Sequence, residues 1–203
     1  MTRRIPIVST IVVAIAVAAM IGLGAWQLFD RLPKKEAFLA QLAANPAKPA
    51  IAFPPGDDDR LLFRRAHGDC VRVRSQQLTG AGNSGYRLIA WCARSNGAGA
   101  AMPIQLGTTR DPKFVGEWQG GAVTGYLSHA PSSQSLIGSL FHHRAQRLMI
   151  VADTPPLGLA ANGAPDLDTV PNNHLAYAVQ WFLFAGIAGV IYGLALVWRR
   201  PRR

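Results

Sequence analysis

Two long apolar runs, one near each end of the chain, dominate the pattern of hydrophobic and polar residues. Residues 5–29 contain no charged side chain, and residues 175–198 contain none either. A helix needs about 20 apolar residues to cross the hydrocarbon core of a bilayer. Both runs are long enough, so we predict two transmembrane helices that flank the rest of the chain.

Between the two runs the pattern changes to short strands separated by glycine-rich turns. Valine and arginine alternate over residues 71–74, which is the period of a half-buried strand, and apolar segments follow at 86–92, 123–127 and 147–152. Just before them, residues 37–44 predict a short amphipathic helix, which a group of four prolines would end. We therefore predict a membrane α hairpin with a mostly β domain between the helices, built as a small antiparallel sheet or barrel.

The position of the charges changes how the formal charge of +10 is interpreted. Six arginines lie between the apolar runs and the two chain termini, at positions 3, 4, 199, 200, 202 and 203, whereas all 11 acidic residues lie between the runs. Basic residues at membrane ends favour the cytoplasmic side, so we expect both termini there and the central domain on the opposite side. The same placement argues against a nucleic-acid partner, which would need the charge on one exposed surface.

These features divide the chain into three parts. We predict a cytoplasmic tail and the first transmembrane helix over residues 1–29, an extracytoplasmic domain over 30–172, and the second transmembrane helix with a basic tail over 173–203. One alternative is a cleavable signal peptide that ends near Ala16-Val17-Ala18. Because the apolar run continues unbroken through Trp26, we favour a retained anchor.

Small residues recur every three or four positions in both runs. The positions are Ala14, Ala18, Gly22 and Ala25 in the first run, and Gly186, Gly189 and Gly193 in the second. Such stripes let a second helix approach closely. We favour packing between the two predicted spans, and contact with a different protein is the alternative.

Cys70 and Cys92 are the only cysteines in the chain. A disulfide between them is one interpretation if the central domain lies in an oxidising compartment. Two buried, unpaired thiols are the interpretation that we favour. The absence of a Cys-x-x-Cys pair argues against a thioredoxin-type protein or a thiolate copper carrier.

The remaining polar residues give no indication of an enzyme. His142 and His143 are adjacent, so they point to opposite faces of a strand, and His67 and His129 have no partner at ligand spacing. No catalytic triad, carboxylate pair or phosphate-binding loop stands out in the sequence. We expect these histidines to be ordinary surface or core residues.

His174 differs because it lies at the outer end of the second apolar run. On a helix, Tyr177, Ala178 and Trp181 share its face, so the imidazole would lie close to aromatic rings. An imidazole beside a flat apolar surface is what axial haem ligation requires. The alternative, which the residues alone favour, is a histidine that only hydrogen-bonds there, with Asn172 or Asn173 capping the helix.

Several segments resemble a known family. Residues 24–28, Gly-Ala-Trp-Gln-Leu, followed by Arg31, look like the Gly-x-Trp-Gln-Leu-x-x-Arg signature of the Surfeit-locus-one family. Arg64-Arg65 and Gly85-Tyr86 are similar to its paired arginines and its Gly-Tyr pair. Residues 172–182 resemble its Asn-Asn-His-x-x-Tyr-Ala-x-x-Trp-Phe element almost residue for residue. One segment departs from the pattern, because residues 102–109 lack the tryptophan of its Asn-Arg-Gly-Trp-Val-Pro strand.

The resemblance implies a factor that helps to assemble haem-copper cytochrome c oxidase in the bacterial inner membrane. In bacterial members of the family this role is linked to transient binding of haem a and its presentation to the large oxidase subunit. By this resemblance His174 is the candidate axial ligand of the haem iron, Tyr177 and Trp181 line the porphyrin, and Trp26 closes its other side. The implied partners are the large subunit, assembly intermediates and membrane lipid.

Two other functions stay open from the sequence. The first is a cofactor-free membrane scaffold that stabilises an oxidase assembly intermediate through its outer domain and spans. The second is an unrelated membrane-tethered binding module. The divergent segment at 102–109 leaves open what the middle of the domain contacts.

Overall fold

The computed structural model describes residues 6–94, 101–131 and 146–198. The chain forms two compact units. Residues 1–39 and 168–203 make up a helical unit, and residues 40–167 make up a unit built on a sheet. The terminal arginines, on which the predicted membrane orientation depends, lie outside the described residues.

The two apolar runs form helices, as predicted. Helix α1 spans Ile7–Trp26, helix α2 spans Leu32–Ala44, and helix α3 spans His174–Trp198. The helical run that begins with α1, and α3, are both long and apolar enough to cross a membrane, with mean hydropathies of 2.5 and 2.0. They are therefore two candidate transmembrane helices.

A wider turn joins α1 to α2 without breaking the helical path. Residues Gln27–Arg31 are π-helical, and the N–H of Leu32 donates to the carbonyl of Gln27, five residues back. Pro33 follows directly, and a proline inside an α-helix clashes with the carbonyl one turn earlier. The wider turn relieves that clash, so π-helical geometry here has an identifiable cause. The helix predicted over 37–44 is confirmed as the second part of α2.

Helices α1 and α3 pack against each other in antiparallel directions. The hydroxyls of Thr10 and Tyr192 hydrogen-bond at one end, and Gly24 packs on the ring of Phe182 nearer the other. A Cβ on Gly24 would lie 2.9 Å from that ring, so only glycine fits there without a shift of the ring. Close contact between the spans therefore depends on Gly24, together with the buried alanines Ala178 and Ala185 of α3.

The predicted packing of the two spans through their small-residue stripes is wrong. A Cβ placed on Gly22, Gly186, Gly189 or Gly193 would have no atom within 4 Å, and Ala14 and Ala18 are exposed. Successive helical residues differ by about 100° around the axis, so Gly22 and Gly24 lie on nearly opposite sides of α1. These stripes therefore face away from the partner helix.

One seven-stranded sheet is the core of the second unit, counted over the residues that the structure describes. The strands are β1 Ile51–Ala52, β2 Arg65–Cys70, β3 Arg72–Gly80, β4 Tyr86–Ala93, β5 Met102–Thr109, β6 Gly121–His129 and β7 Leu148–Ala152. Their order across the sheet is β1-β2-β6-β7-β5-β4-β3. The strands predicted from apolar runs at 86–92, 123–127 and 147–152 are confirmed as β4, β6 and β7.

The sheet is mostly antiparallel, with two parallel pairs that the pattern did not predict. These pairs are β1 with β2 and β5 with β7, since β7 enters the sheet between β5 and β6. Every residue of β7, and all of β5 except Thr109, is buried. Strands covered on both faces are expected to be continuously apolar, which suits the run Leu-Met-Ile-Val-Ala of β7. The segment that departs from the family pattern, 102–109, is thus a buried core strand.

The sheet bends so that β2 and β3 come close together. Only Val71 separates them in the chain, although β2 is next to one end of the strand order and β3 is at the other end. The N–H of Val71 donates to the carbonyl of Ala93 at 3.1 Å. This bend brings the Cα atoms of Cys70 and Cys92 to 5.2 Å, and the two residues form a disulfide. The expectation of two unpaired thiols is therefore wrong, because sequence distance does not indicate which strands the closure brings together.

Candidate functional site

His174 is the first residue of α3, and a residue of the π-helical turn after α1 hydrogen-bonds to its side chain. Its Nδ1 lies 2.7 Å from Oε1 of Gln27, the first residue of the π-helical turn. The position follows from the local fold, since Gln27 comes three residues after Gly24, on the side of the helix that packs against α3. The imidazole is half-buried. The contact therefore joins the C-terminal end of α1 to the N-terminal end of α3, the two candidate transmembrane helices.

This hydrogen bond determines which nitrogen of His174 is free. A carbonyl oxygen can only accept, so Nδ1 carries the proton and donates it to Gln27. The neutral ring then keeps its lone pair on Nε2, and the structure gives Nε2 no hydrogen bond to any described residue. An imidazole oriented through Nδ1–H is the usual arrangement for a metal ligand that binds through Nε2.

The aromatic residues that share a helix with His174 lie in different surroundings. Tyr177 is 50% exposed, whereas Ala178 is only 1% exposed and lies in the contact with α1. Trp181 is half-buried and meets the ring of Phe184 edge to face, at 6.2 Å between centroids. Tyr177 thus presents an open aromatic surface one turn from the imidazole, and Trp181 is held by packing two turns away.

Trp26, the residue before Gln27, is 46% exposed and carries the guanidinium of Arg31 at 4.9 Å from its ring centroid. A cation over an indole face is a stabilising contact. The predicted role of Trp26, closing the far side of a porphyrin, is not tested by this contact. The residue that hydrogen-bonds to His174 is Gln27, the first residue of the π-helical turn after α1. The sequence interpretation missed it, although it lies in the segment 24–28 that resembles the family signature.

The asparagines before His174 do not behave as the capping alternative predicted for Asn172. Its Oδ1 is buried and has no hydrogen-bond partner in the described structure, so it caps no N–H group. The backbone carbonyl of Asn173 accepts from the N–H of Tyr177 at 3.0 Å, which begins the helix. A buried acceptor without a partner costs about 1–3 kcal/mol. Among the described residues, Asn172 Oδ1 is thus an acceptor without a donor, two positions before His174 in the chain.

Of the other histidines, two are described and neither lies near His174 in the chain. His67 is exposed on β2, and Nε2 of His129 lies 2.9 Å from Oδ1 of Asp59. His142 and His143 lie outside the described residues. In residues 6–94, 101–131 and 146–198, no three His, Cys, Asp or Glu side chains group as a metal site.

Arg65, one of the paired arginines noted in the sequence, opens β2 with a two-point contact to Asp153. Its Nη1 donates to Oδ1 of Asp153 at 2.7 Å, and its Nη2 donates to Oδ2. They border a cavity of about 320 Å³ that also contacts Tyr126, whose hydroxyl donates to the carbonyl of Gly163. Burial, and then the charge of Asp153, raise the pKa of Tyr126. This cluster holds the loop after β7 against the sheet.

Comparison with known proteins agrees with the resemblance seen in the sequence. The family model described as the SURF1 family matches residues 14–186. The match includes the second part of α1, the whole sheet unit, Gln27 and His174. No curated protein matches the chain. The matched family is one of assembly factors, and it is associated with assembly of cytochrome c oxidase.

Proposed function

The chain belongs to the SURF1 family, and on that premise we propose that it binds haem a through His174 and presents it to the large subunit of cytochrome c oxidase. The observation that supports the proposal most is the hydrogen bond from His174 Nδ1 to Gln27, which leaves Nε2 free. Haem a, when bound, would supply an iron atom with an axial position that an imidazole nitrogen can fill.

The residues around His174 fit a flat, mostly apolar group with polar substituents. Tyr177 offers an exposed aromatic face one turn from the imidazole, and Trp181 adds apolar surface on the same helix. The buried Oδ1 of Asn172 can accept a hydrogen bond from a donor on the ligand. Trp26, the last residue of α1 and the neighbour of Gln27, would close the other side of the porphyrin.

The same arrangement suits transfer of a bound group better than its permanent retention. Gln27 holds the imidazole in one orientation, so one nitrogen is ready to bind without rearrangement of the ring. A single axial bond, with apolar contact from an exposed ring, leaves the ligand accessible to a partner. We infer that binding is transient and that the large subunit or an assembly intermediate receives the haem.

The location follows from the two candidate spans and is part of the proposal. We place residues 1–29 and 173–203, each a helix with its tail, in the bacterial inner membrane with cytoplasmic termini, and residues 30–172 in the periplasm. The disulfide between Cys70 and Cys92 supports an oxidising compartment for the sheet unit. Membrane lipid is then a further partner of both apolar helices.

The test is an absorption spectrum of the protein purified in detergent from cells that make haem a. We expect a haem spectrum for the unmodified protein and none for His174→Ala, because the variant lacks the axial nitrogen. His67→Ala is the matched control, since it removes an exposed imidazole on β2, and it should keep the spectrum. A colourless unmodified protein under these conditions would contradict the proposal.

One observation favours a second candidate, the cofactor-free scaffold. The glycines of α3 at 186, 189 and 193 have open space beside them, so another membrane helix has room to approach there. Under this alternative, His174→Ala supports normal oxidase activity in a deletion strain, whereas Gly189→Leu does not. Under haem delivery the outcome is reversed, with His174→Ala inactive.

A further inference from the structure

Arg94 follows β4 and Arg147 precedes β7, and neither forms an ion pair within the described parts of the chain. Both lie at the same end of β4, because Arg147 contacts Ala101, the residue before the ladder partner of Cys92. Nη2 of Arg94 donates to the carbonyl of Pro54 at 2.9 Å, and its guanidinium lies 4.5 Å from the ring centroid of Phe53. Nη2 of Arg147 donates to the carbonyl of Ala101 at 3.0 Å. Backbone oxygens and aromatic rings, rather than carboxylates, thus hold both guanidiniums in place.

The nearby acid, Asp57, ties the two arginine segments together. Its Oδ1 accepts from the N–H of Leu148, the residue after Arg147, at 2.9 Å. It lies three residues after Pro54, the partner of Arg94. Its single negative charge faces two positive ones, and part of its hydrogen-bonding capacity is used by the backbone. The cluster therefore keeps an excess positive charge.

The behaviour of Arg94 agrees with this excess. Burial, and then the charge of Arg147, lower the pKa of Arg94, and the charge of Asp57 only partly opposes them. The chain next to the cluster cannot supply the missing acid, because residues 95–100 and 132–145 contain neither Asp nor Glu, and the second stretch adds Arg144. One carboxylate offsets the repulsion between two guanidiniums only in part, and an anionic ligand would offset the rest.

Arg94 also has a donor without an acceptor. Its Nε is buried and has no hydrogen-bond partner in the described structure. A guanidinium presents five N–H groups in a planar fork that matches the oxygens of phosphate and carboxylate groups. Phosphate has more acceptor oxygens than a carboxylate, so one phosphate can accept from both guanidiniums.

We propose that Arg94 and Arg147 form a binding site for a phosphate group, which is either a free phosphate or the headgroup of an anionic lipid. Phe53 and Trp91 form the apolar sides of the site, since they lie under the two guanidiniums at 4.5 Å and 5.8 Å. Asp57 positions the segment before Leu148 and limits the net charge. This site is independent of His174, so either proposal can fail without the other.

The experiment is calorimetric titration of the full-length protein in a neutral detergent with inorganic phosphate, at constant ionic strength. We expect saturable binding that Arg94→Gln and Arg147→Gln each weaken about tenfold or more, because each removes charge-assisted hydrogen bonds. Arg110→Gln, at an exposed arginine after β5, is the matched control and should bind as the unmodified protein does. Arg94→Lys keeps the charge but not the planar fork, so it should bind more weakly than the control even if Arg94→Gln fails to fold.

A second arm distinguishes the two sources of the phosphate. If a lipid headgroup is the natural ligand, protein in nanodiscs with phosphatidylglycerol loses the response to free phosphate, whereas protein in phosphatidylcholine nanodiscs keeps it. If free phosphate is the ligand, both kinds of nanodisc respond alike. Absence of saturable binding in detergent, or equal loss in Arg110→Gln, would mean that the arginines only clamp the backbone, and it would overturn the proposal.

Discussion

Gln27→Leu tests whether Gln27 holds His174, at the start of α3, in the orientation and tautomer that a metal ligand needs. The substitution keeps a side chain of similar length but removes the oxygen that accepts from His174 Nδ1 at 2.7 Å. The ring then has no fixed tautomer, and its Nε2 carries the lone pair for only part of the time. We expect Gln27→Leu to weaken haem binding while leaving the fold in place.

The magnitude follows from what the lost hydrogen bond does. A hydrogen bond between neutral groups contributes about 1 kcal/mol to stability, so the fold should change little. Loss of the partner that orients a ligating histidine lowers metal affinity about 10- to 100-fold, which corresponds to about 1.4–2.8 kcal/mol. The effect on ligand affinity should therefore exceed the effect on stability.

Two measurements check this prediction. Nitrogen NMR of the ¹⁵N-labelled imidazole, without ligand, should report Nδ1–H alone in the unmodified protein and a mixture of tautomers in Gln27→Leu. Haem titration should show the loss of affinity, and Gln27→Glu should restore it, since a carboxylate accepts the same proton. Gln180→Leu, at an exposed glutamine of α3, is the matched control. Unchanged tautomer and affinity in Gln27→Leu would refute the reasoning.

Three further predictions concern stability. Cys70→Ser removes a disulfide that spans 22 residues, so it should lower the free energy of unfolding by about 2–4 kcal/mol. A reductant should lower the melting temperature of the unmodified protein but not that of Cys70→Ser. Gly24→Leu should separate α1 from α3, because a Cβ at position 24 lies 2.9 Å from the Phe182 ring, whereas Gly189→Leu should leave the two helices in contact. Cysteine crosslinking between α1 and α3 in detergent measures their separation. Equal crosslinking in both variants would contradict the packing. Tyr126→Phe should cost about 1 kcal/mol at neutral pH by loss of the hydrogen bond to Gly163. Since the pKa of Tyr126 is raised above 10.0 in the folded protein, its contribution to stability is present below pH 10.0 and declines as the pH rises through the folded-state pKa. The difference in melting temperature between the unmodified protein and Tyr126→Phe should therefore narrow at high pH. A difference that stays constant would count against this prediction.

Parts of the fold that depend on local composition could be predicted from the sequence. The two apolar helices follow from runs without charge, and β4, β6 and β7 follow from apolar segments between turn residues. His174 also stood out as a candidate site residue, because it lies beside an apolar run and within the segment that most resembles the family. These features need only residues that are near one another in the chain.

The face through which the two helices pack could not be predicted. A helix that is apolar all round has no polar face to indicate its orientation, so the small-residue stripes at 186–193 were as good a candidate as Gly24. Only the fit of Gly24 against the Phe182 ring selects the contact. That selection then places Gln27 beside His174, which is why the sequence interpretation missed this partner.

By itself, the sequence determined the two apolar helices and strands β4, β6 and β7, and it singled out His174 as a candidate, because periodicity and charge act over a few residues. Only the tertiary structure decided the order of the strands, the closure at Val71 and the pairing of Cys70 with Cys92. It likewise placed Arg94 and Arg147, which are distant in the chain, at the same end of β4. Such contacts depend on which distant segments pack best when the whole sheet closes, and no local pattern records that competition.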